Sequence, residues 1–142
     1  MNALDSAMYS TLTASTAITA LTSGGTANPS VYHFLAPEGA DPPYVIYQTQ
    51  APSVPFRTHG YPIVYEDVTI TVKAVTEGHS ALAAGTIASN IAALLNGSVL
   101  SITGHTVLML RREMDVDFYE VLPGGQRYHH RGGQYRIWAA PA

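Results

Sequence analysis

Leu4, Met8 and Leu12 recur every four residues, which places three apolar side chains on one helical face. Thr13, Ser15 and Thr16 then interrupt the run, and each is a residue type that starts a helix by accepting a backbone N–H bond. The spacing predicts a helix near 3–13 and a short second one near 16–22, ended by the glycines and proline of TSGGTANPS. VYHFL (31–35) and YVIYQTQ (44–50) are short β-rich runs on either side of the proline-punctuated PEGADPP, and they predict a hairpin. APSVPFRTHGYP (51–62) carries three prolines and a glycine and predicts a loop or the tip of a long hairpin.

The next segment alternates with period two. Val64, Val68, Ile70, Val72 and Ala74 share one side, while Tyr65, Asp67, Thr69, Thr71 and Lys73 share the other. This is the pattern of a long strand with one covered face and one polar face. Over 78–97 the period returns to that of a helix, with Ala84, Ile87, Ala88, Ile91, Leu94 and Leu95 as the apolar stripe, Ser80 as N-cap and Gly97 as stop. Gly85 within it lowers helix stability by about 1 kcal/mol relative to alanine, which points to close packing there. Thr106–Met114 reads as a strand, 115–123 as its continuation or a bulge, Gly124–Gly125 as a turn, and Tyr128–Ala139 as a last strand broken at Gly132–Gly133. In that strand Arg136 and Trp138 face one way, and Tyr135, Ile137 and Ala139 the other. The order of elements predicts an α+β fold, a mostly antiparallel sheet with helices on one face, in a single domain spanning 1–142.

Composition narrows the function classes. Hydrophobic residues make up 46% of the 142 and charged residues 12%, about half the usual charged share. A surface so poor in charge fits one partly covered by neighbours. A net charge of −3 speaks against a general nucleic-acid binder, and the absence of cysteine removes thiolate metal sites and thiol nucleophiles. The N-terminal residues lack the basic and apolar regions of a signal peptide, and no run approaches the ~20 apolar residues of a membrane span, so a cytosolic, soluble product is expected.

No constellation of reactive residues emerges. His129 and His130 are adjacent and point to opposite faces of a strand, while His33, His59, His79 and His105 are isolated; surface or interface histidine is the reading for each. Glu113, Asp115, Asp117 and Glu120 could offer oxygen ligands to a divalent cation, but no binding loop accompanies them, and pairing with Arg111, Arg112 and Arg127 is the simpler role. The glycine-rich stretches fit no phosphate-binding pattern, and no nucleophile elbow is present. No catalytic, metal or cofactor site is therefore predicted.

Residues 110–138 hold five of the seven Lys/Arg residues, all arginine, interleaved with Tyr119, Tyr128, Tyr135 and Trp138. Arginine with tyrosine and tryptophan characterises the energetic centres of protein interfaces. The same mixture suits a nucleic-acid groove, although the acidic neighbours would repel phosphate. A half-exposed sheet with cross-strand ion pairs remains the plain alternative.

Taken in order, ALDSAMYSTLTASTAITALTSGG, VYHFLAPEGADPPYVIYQ with its PPYVIYQ, VTITVKAVTEGHSALAAGTIASNIAALLNG, RREMDVDFYE and RYHHRGGQYRIW make the chain resemble the small tail-completion, or tail-terminator, proteins of long-tailed phages and prophages. The resemblance implies a structural virion protein with no enzymatic role, assembled as a hexameric ring at the head-proximal end of the tail. Such a ring caps the tail tube, meets the tail tube protein and the head–tail connector protein, and lets DNA pass in transit. The loop QAPSVPFRTHGYP and the paired histidines have no counterpart in that resemblance. On this basis Phe56, Arg57, His59, Arg111, Arg112, Tyr119, Arg127, Tyr128 and Arg131 are the expected interface residues. Another connector or tail-tube ring protein of the same particle is the alternative, followed by a small ligand-binding α+β domain or a nucleic-acid-binding module.

Overall fold

The computed structural model describes residues 2–50, 54–60, 62–78, 80–96 and 100–142. Helix α1 (Asn2–Ala14) and the short α2 (Thr16–Thr19) open the chain. Strands β1 (Val31–His33), β2 (Tyr44–Thr49), β3 (Val54–Arg57) and β4 (Ile63–Glu77) follow, then α3 (Leu82–Leu95), β5 (His105–Val121) and β6 (Arg127–Pro141). The sheet order is β1-β2-β4-β6-β5, with β3 pairing the first part of β4 alongside β2. This is the α+β arrangement expected from the periodicities. Leu4, Met8 and Leu12 of α1 and Ala84, Ile87, Ile91 and Leu95 of α3 are buried against Val68, Ile70, Val72, Ala74, Tyr135 and Ile137. Helix α3 packs over β4 and β6, and α1 over β1.

Four expectations are corrected. Residues 31–50 do not form a hairpin: β1 runs parallel to β2, with Val31 opposite Val45. Residues 34–43, with their prolines, carry the chain back to the starting end instead of turning it tightly, since parallel neighbours need a return connection. For the 51–62 segment the second of the two expectations holds, since Val54–Arg57 pairs antiparallel with the start of β4 near the tip of a long hairpin. Val64 has the parity of the helix-covered face yet is exposed, lying before Glu66, where the pairing of β4 with β6 begins. Conversely Thr71, on the polar face, is buried between Gln48 of β2 and Gln134 of β6. The last strand is not broken at Gly132–Gly133: β6 runs continuously there, and Gly132 is what lets its backbone lie against Val72 and Lys73 of β4.

Strand β5 settles the choice over 115–123. It is one strand of 17 residues, paired to β6 throughout, with register shifts between Val107 and Met109 and between Arg112 and Met114. Helix α3 begins at Leu82, whose N–H donates to Ser80 Oγ, so Ser80 stands two residues before the helix and not at its cap position. Gly97 and His79 lie outside the described residues.

Candidate interaction surfaces

Two registers decide what meets on the face that no helix covers among the described residues. Phe56 stands opposite Tyr65, and Asp67 opposite Trp138. Phe56 and Tyr65 stack at 4.5 Å between ring centroids, and Tyr65 tilts onto Trp138 at 5.2 Å. Arg136 lies 5.6 Å from the Trp138 ring and grips Asp67 with two nitrogens, Nε to Oδ1 at 2.9 Å and Nη2 to Oδ2 at 2.5 Å. That hydrogen bonding holds the Asp67 carboxyl below the usual carboxylate range. Three strands are thereby cross-linked by aromatic and ionic contacts on one face, with the Phe56 ring left partly open to solvent.

The arginines of β5 and β6 fall on both faces. Arg111 Nε donates to Glu113 at 2.5 Å on the uncovered side of the strand, and Arg112 pairs with Asp115. Arg131 Nη2 donates to Asp117 at 3.1 Å across the β5–β6 ladder, which holds Asp117 below its ordinary value. Arg112, Asp115, Asp117 and Arg131 line a groove of about 250 Å³ between α3 and the two strands, with Ser89 on its helix side. Each guanidinium there already has a carboxylate, so the groove is charge-balanced and offers an ion-pairing surface in place of a nucleophile–base set. Among the described residues no cluster of three or more His, Asp or Glu could hold a metal ion.

Gly85 answers to this groove. A Cβ there would come within 2.8 Å of Arg131 Nη1, so what lies close is an arginine side chain and not the sheet. The guanidinium is the free end of a flexible side chain and can move aside. Gly85→Ala is therefore expected to stabilise the protein by roughly 0.5–1 kcal/mol through helix propensity, raising Tm by about 1–4 °C. A thermal melt showing a lower Tm would mean that Arg131 is fixed in place.

The expected interface residues separate into two groups. Phe56, Arg57 and His59 lie in the exposed stretch 54–60, beside the start of β4. Arg111, Arg112, Tyr119, Arg127, Tyr128 and Arg131 lie on the β5–β6 ladder, whose closed end pairs Tyr128 with Glu77 at the far end of β4. Tyr119, Arg111 and Arg127 are exposed, whereas Tyr128 is half-buried. The sequence reading of His130 as a surface or interface residue is corrected: the residue is 7% exposed and its ring lies under Phe118. No pattern in the sequence predicts the Asp67–Arg136 pair or the Phe118–His130 stack. Only the register of β4, β6 and β5 brings those residues together, and single-strand alternation holds no trace of it.

Comparison with known proteins places this fold. The native gene transfer agent particle virion contains a chain with a TM-score of 0.70 to this one, at 18% identity, over 95% of this chain and 94% of that one. At that identity the likeness shows a shared fold. No match is found among curated proteins. No helix among the described residues is long and apolar enough to cross a membrane. The family described as tail completion protein gp17 matches residues 6–140, and the chain belongs to that family.

Proposed function

We propose that this chain closes into a six-membered ring at the head-proximal end of the tail tube, stops tube growth, and presents a face to the head connector. Membership of the tail completion family makes it a structural component of the phage tail, resident in the virion. The ring and its stopping action are the proposed part. They are supported chiefly by one observation: two separate exposed patches, made of different residues, stand at opposite ends and sides of the sheet. The first is the 54–60 arm with Phe56, Arg57 and His59. The second is the free edge of β5, which exposes Met114, Phe118, Tyr119 and Val121, together with Arg111, Arg112, Arg127, Tyr128 and Arg131 on the ladder.

Unlike patches on one chain make heterologous contacts, and such contacts close into a ring when the rotation per copy divides a full turn. An edge strand of this length, with exposed apolar side chains along its distal half, is a surface that proteins normally cover. DNA would cross such a ring in transit, and the net charge of −3 suits a passage that does not grip it.

Native mass spectrometry with negative-stain imaging tests the reading. Wild-type protein is expected to form closed six-membered rings. Phe56→Asp and Tyr119→Asp should each abolish them, since loss of an aromatic interface anchor costs about 2 kcal/mol or more per contact, roughly 30-fold in affinity. Mixing the two variants should yield dimers and nothing larger, because each mixed pair retains one intact interface. Rings from either variant alone would remove these patches from the interface, and open filaments of the wild type would make the chain a tube subunit.

A further inference from the structure

We propose that Lys73, Phe118, Glu120 and His130 form an acid-sensitive latch that holds the distal half of β5 on the sheet. The latch would regulate the assembly surface proposed above and rests on that reading for its consequence, but its own action is a property of the free chain.

Four side chains from three adjacent strands meet on the uncovered face. Phe118 of β5 stands opposite His130 of β6, and the rings stack at 4.4 Å and 9°. Phe118 is half-exposed and roofs the buried imidazole. His130 Nε2 lies 2.7 Å from Glu120 Oε1. A carboxylate can only accept, so this contact places the ring proton on Nε2. Nδ1 is then a bare acceptor, buried and without a hydrogen-bond partner. Lys73 of β4 stands opposite Gly132, and with no side chain there its ammonium reaches to 5.1 Å from the Phe118 centroid. The neutral imidazole thus joins β5 to β6 by a stack and a hydrogen bond, while the cation of β4 rests on the same aromatic ring.

A second proton on His130 has no good place. It would put an N–H at Nδ1, where nothing accepts it. Burial is the largest influence and disfavours the charged ring, Lys73 and His129 act the same way, and Glu120 opposes them, so the imidazole is held below its ordinary value of 6.5. Burial also lowers Lys73. The remaining neighbours are His129, whose Nε2 meets the Gly78 carbonyl at 2.9 Å, and Tyr44 of β2, whose phenol is raised chiefly by burial and also by Tyr128 and Glu120.

The direction follows by linkage. At pH above the free imidazole value both the closed and the released hairpin are neutral there, and the latch is at full strength. As pH falls from that value towards the lowered one, the released form takes the proton first and gains, by up to about tenfold per pH unit. Below both values the loss is complete.

Hydrogen exchange by mass spectrometry on the free chain, at about pH 7.5 and about pH 5 and corrected for intrinsic rates, tests this. Amides of 116–121 and 128–131 are expected to lose protection by about tenfold on acidification, while 106–110 keep theirs. His130→Gln can still donate to Glu120 but does not titrate, and should show no acid-dependent increment. Equal wild-type protection at both pH values, or equal acid loosening in His130→Gln, overturns the latch. Should that variant fail to fold, the wild-type His130 imidazole is followed by NMR: a midpoint below 6.5 sustains the proposal, and one at or above 6.5 ends it. Rings lost at low pH in wild type and retained in His130→Gln would carry the latch into assembly. Acid loosening with no rings at any pH would sustain the latch and reject the assembly reading.

Discussion

Gly132→Ala is expected to yield a protein that melts at least about 6–12 °C below wild type, or that does not fold at all. A Cβ at this position would lie 2.0 Å from the Val72 carbonyl oxygen and 2.5 Å from Lys73 Cα. Both are backbone atoms of β4, so no rotamer change relieves the overlap. The two strands would have to part, and they are paired from Glu66–Ala139 to Glu77–Tyr128 at the centre of the sheet. Overpacking that side chains can absorb costs about 1–3 kcal/mol; a backbone clash in the central ladder should cost about 3 kcal/mol or more, a large part of a typical 5–15 kcal/mol. Each kcal/mol is worth about 2–4 °C in a chain of this size. Gly133→Ala is the control, because its Cβ would meet Arg112 Nε at 3.0 Å and the Met114 carbonyl at 3.2 Å, contacts that a small shift at the edge strand relaxes. If Gly132→Ala melted within a degree or two of wild type, the close approach of β4 and β6 drawn here would be wrong.

Tyr135→Ala should lower stability by about 3–5 kcal/mol, the range for deleting a buried aromatic ring. Tyr135 is 1% exposed, faces the helices with Ile137, and stands opposite Ile70 in the central ladder. Burial raises its phenol above the ordinary value, which marks an environment with little solvent. The hole left by the ring would be walled by α3 and by strands that cannot close on it without disturbing the sheet. Tyr135→Phe keeps the volume and should stay within about 1.5 kcal/mol of wild type. Urea unfolding checks both: the midpoint should fall sharply for alanine with an unchanged slope. A midpoint near wild type for alanine would mean that the core collapses around the cavity far more readily than this packing allows.

These two sites show how differently the sequence exposes its own structure. Alternation groups Tyr135 with Ile137 and Ala139 on one face of the strand, and the structure shows that this face is the buried one. The Gly132–Gly133 pair predicts a break in the strand, because a pair of glycines reads locally as a turn or bulge. The need for Gly132 arises from another strand far earlier in the chain, with Lys73 opposite it. Gly85 behaves similarly: the helix is legible, whereas the neighbour a side chain there would meet, an arginine on β6, is not. His130 repeats the pattern at the level of chemistry. Strand parity predicted that it points away from His129, but its burial depends on Phe118 being drawn over it by the β5 register.

The sequence by itself determined the helical faces of α1 and α3, the parity of β4 and β6, and hence the α+β layering, because those are set by period 3.6 or 2 within one segment. It also carried the family resemblance, which lies in the order of such segments. Tertiary structure alone decided the parallel course of β1, the pairing of Arg136 with Asp67, the groove that seats Arg131, and the cluster around His130. The physical reason is that each depends on which residues of different strands stand opposite one another. Register is fixed by the packing of whole faces, and moving it by one residue would send every one of these side chains to the other side of the sheet.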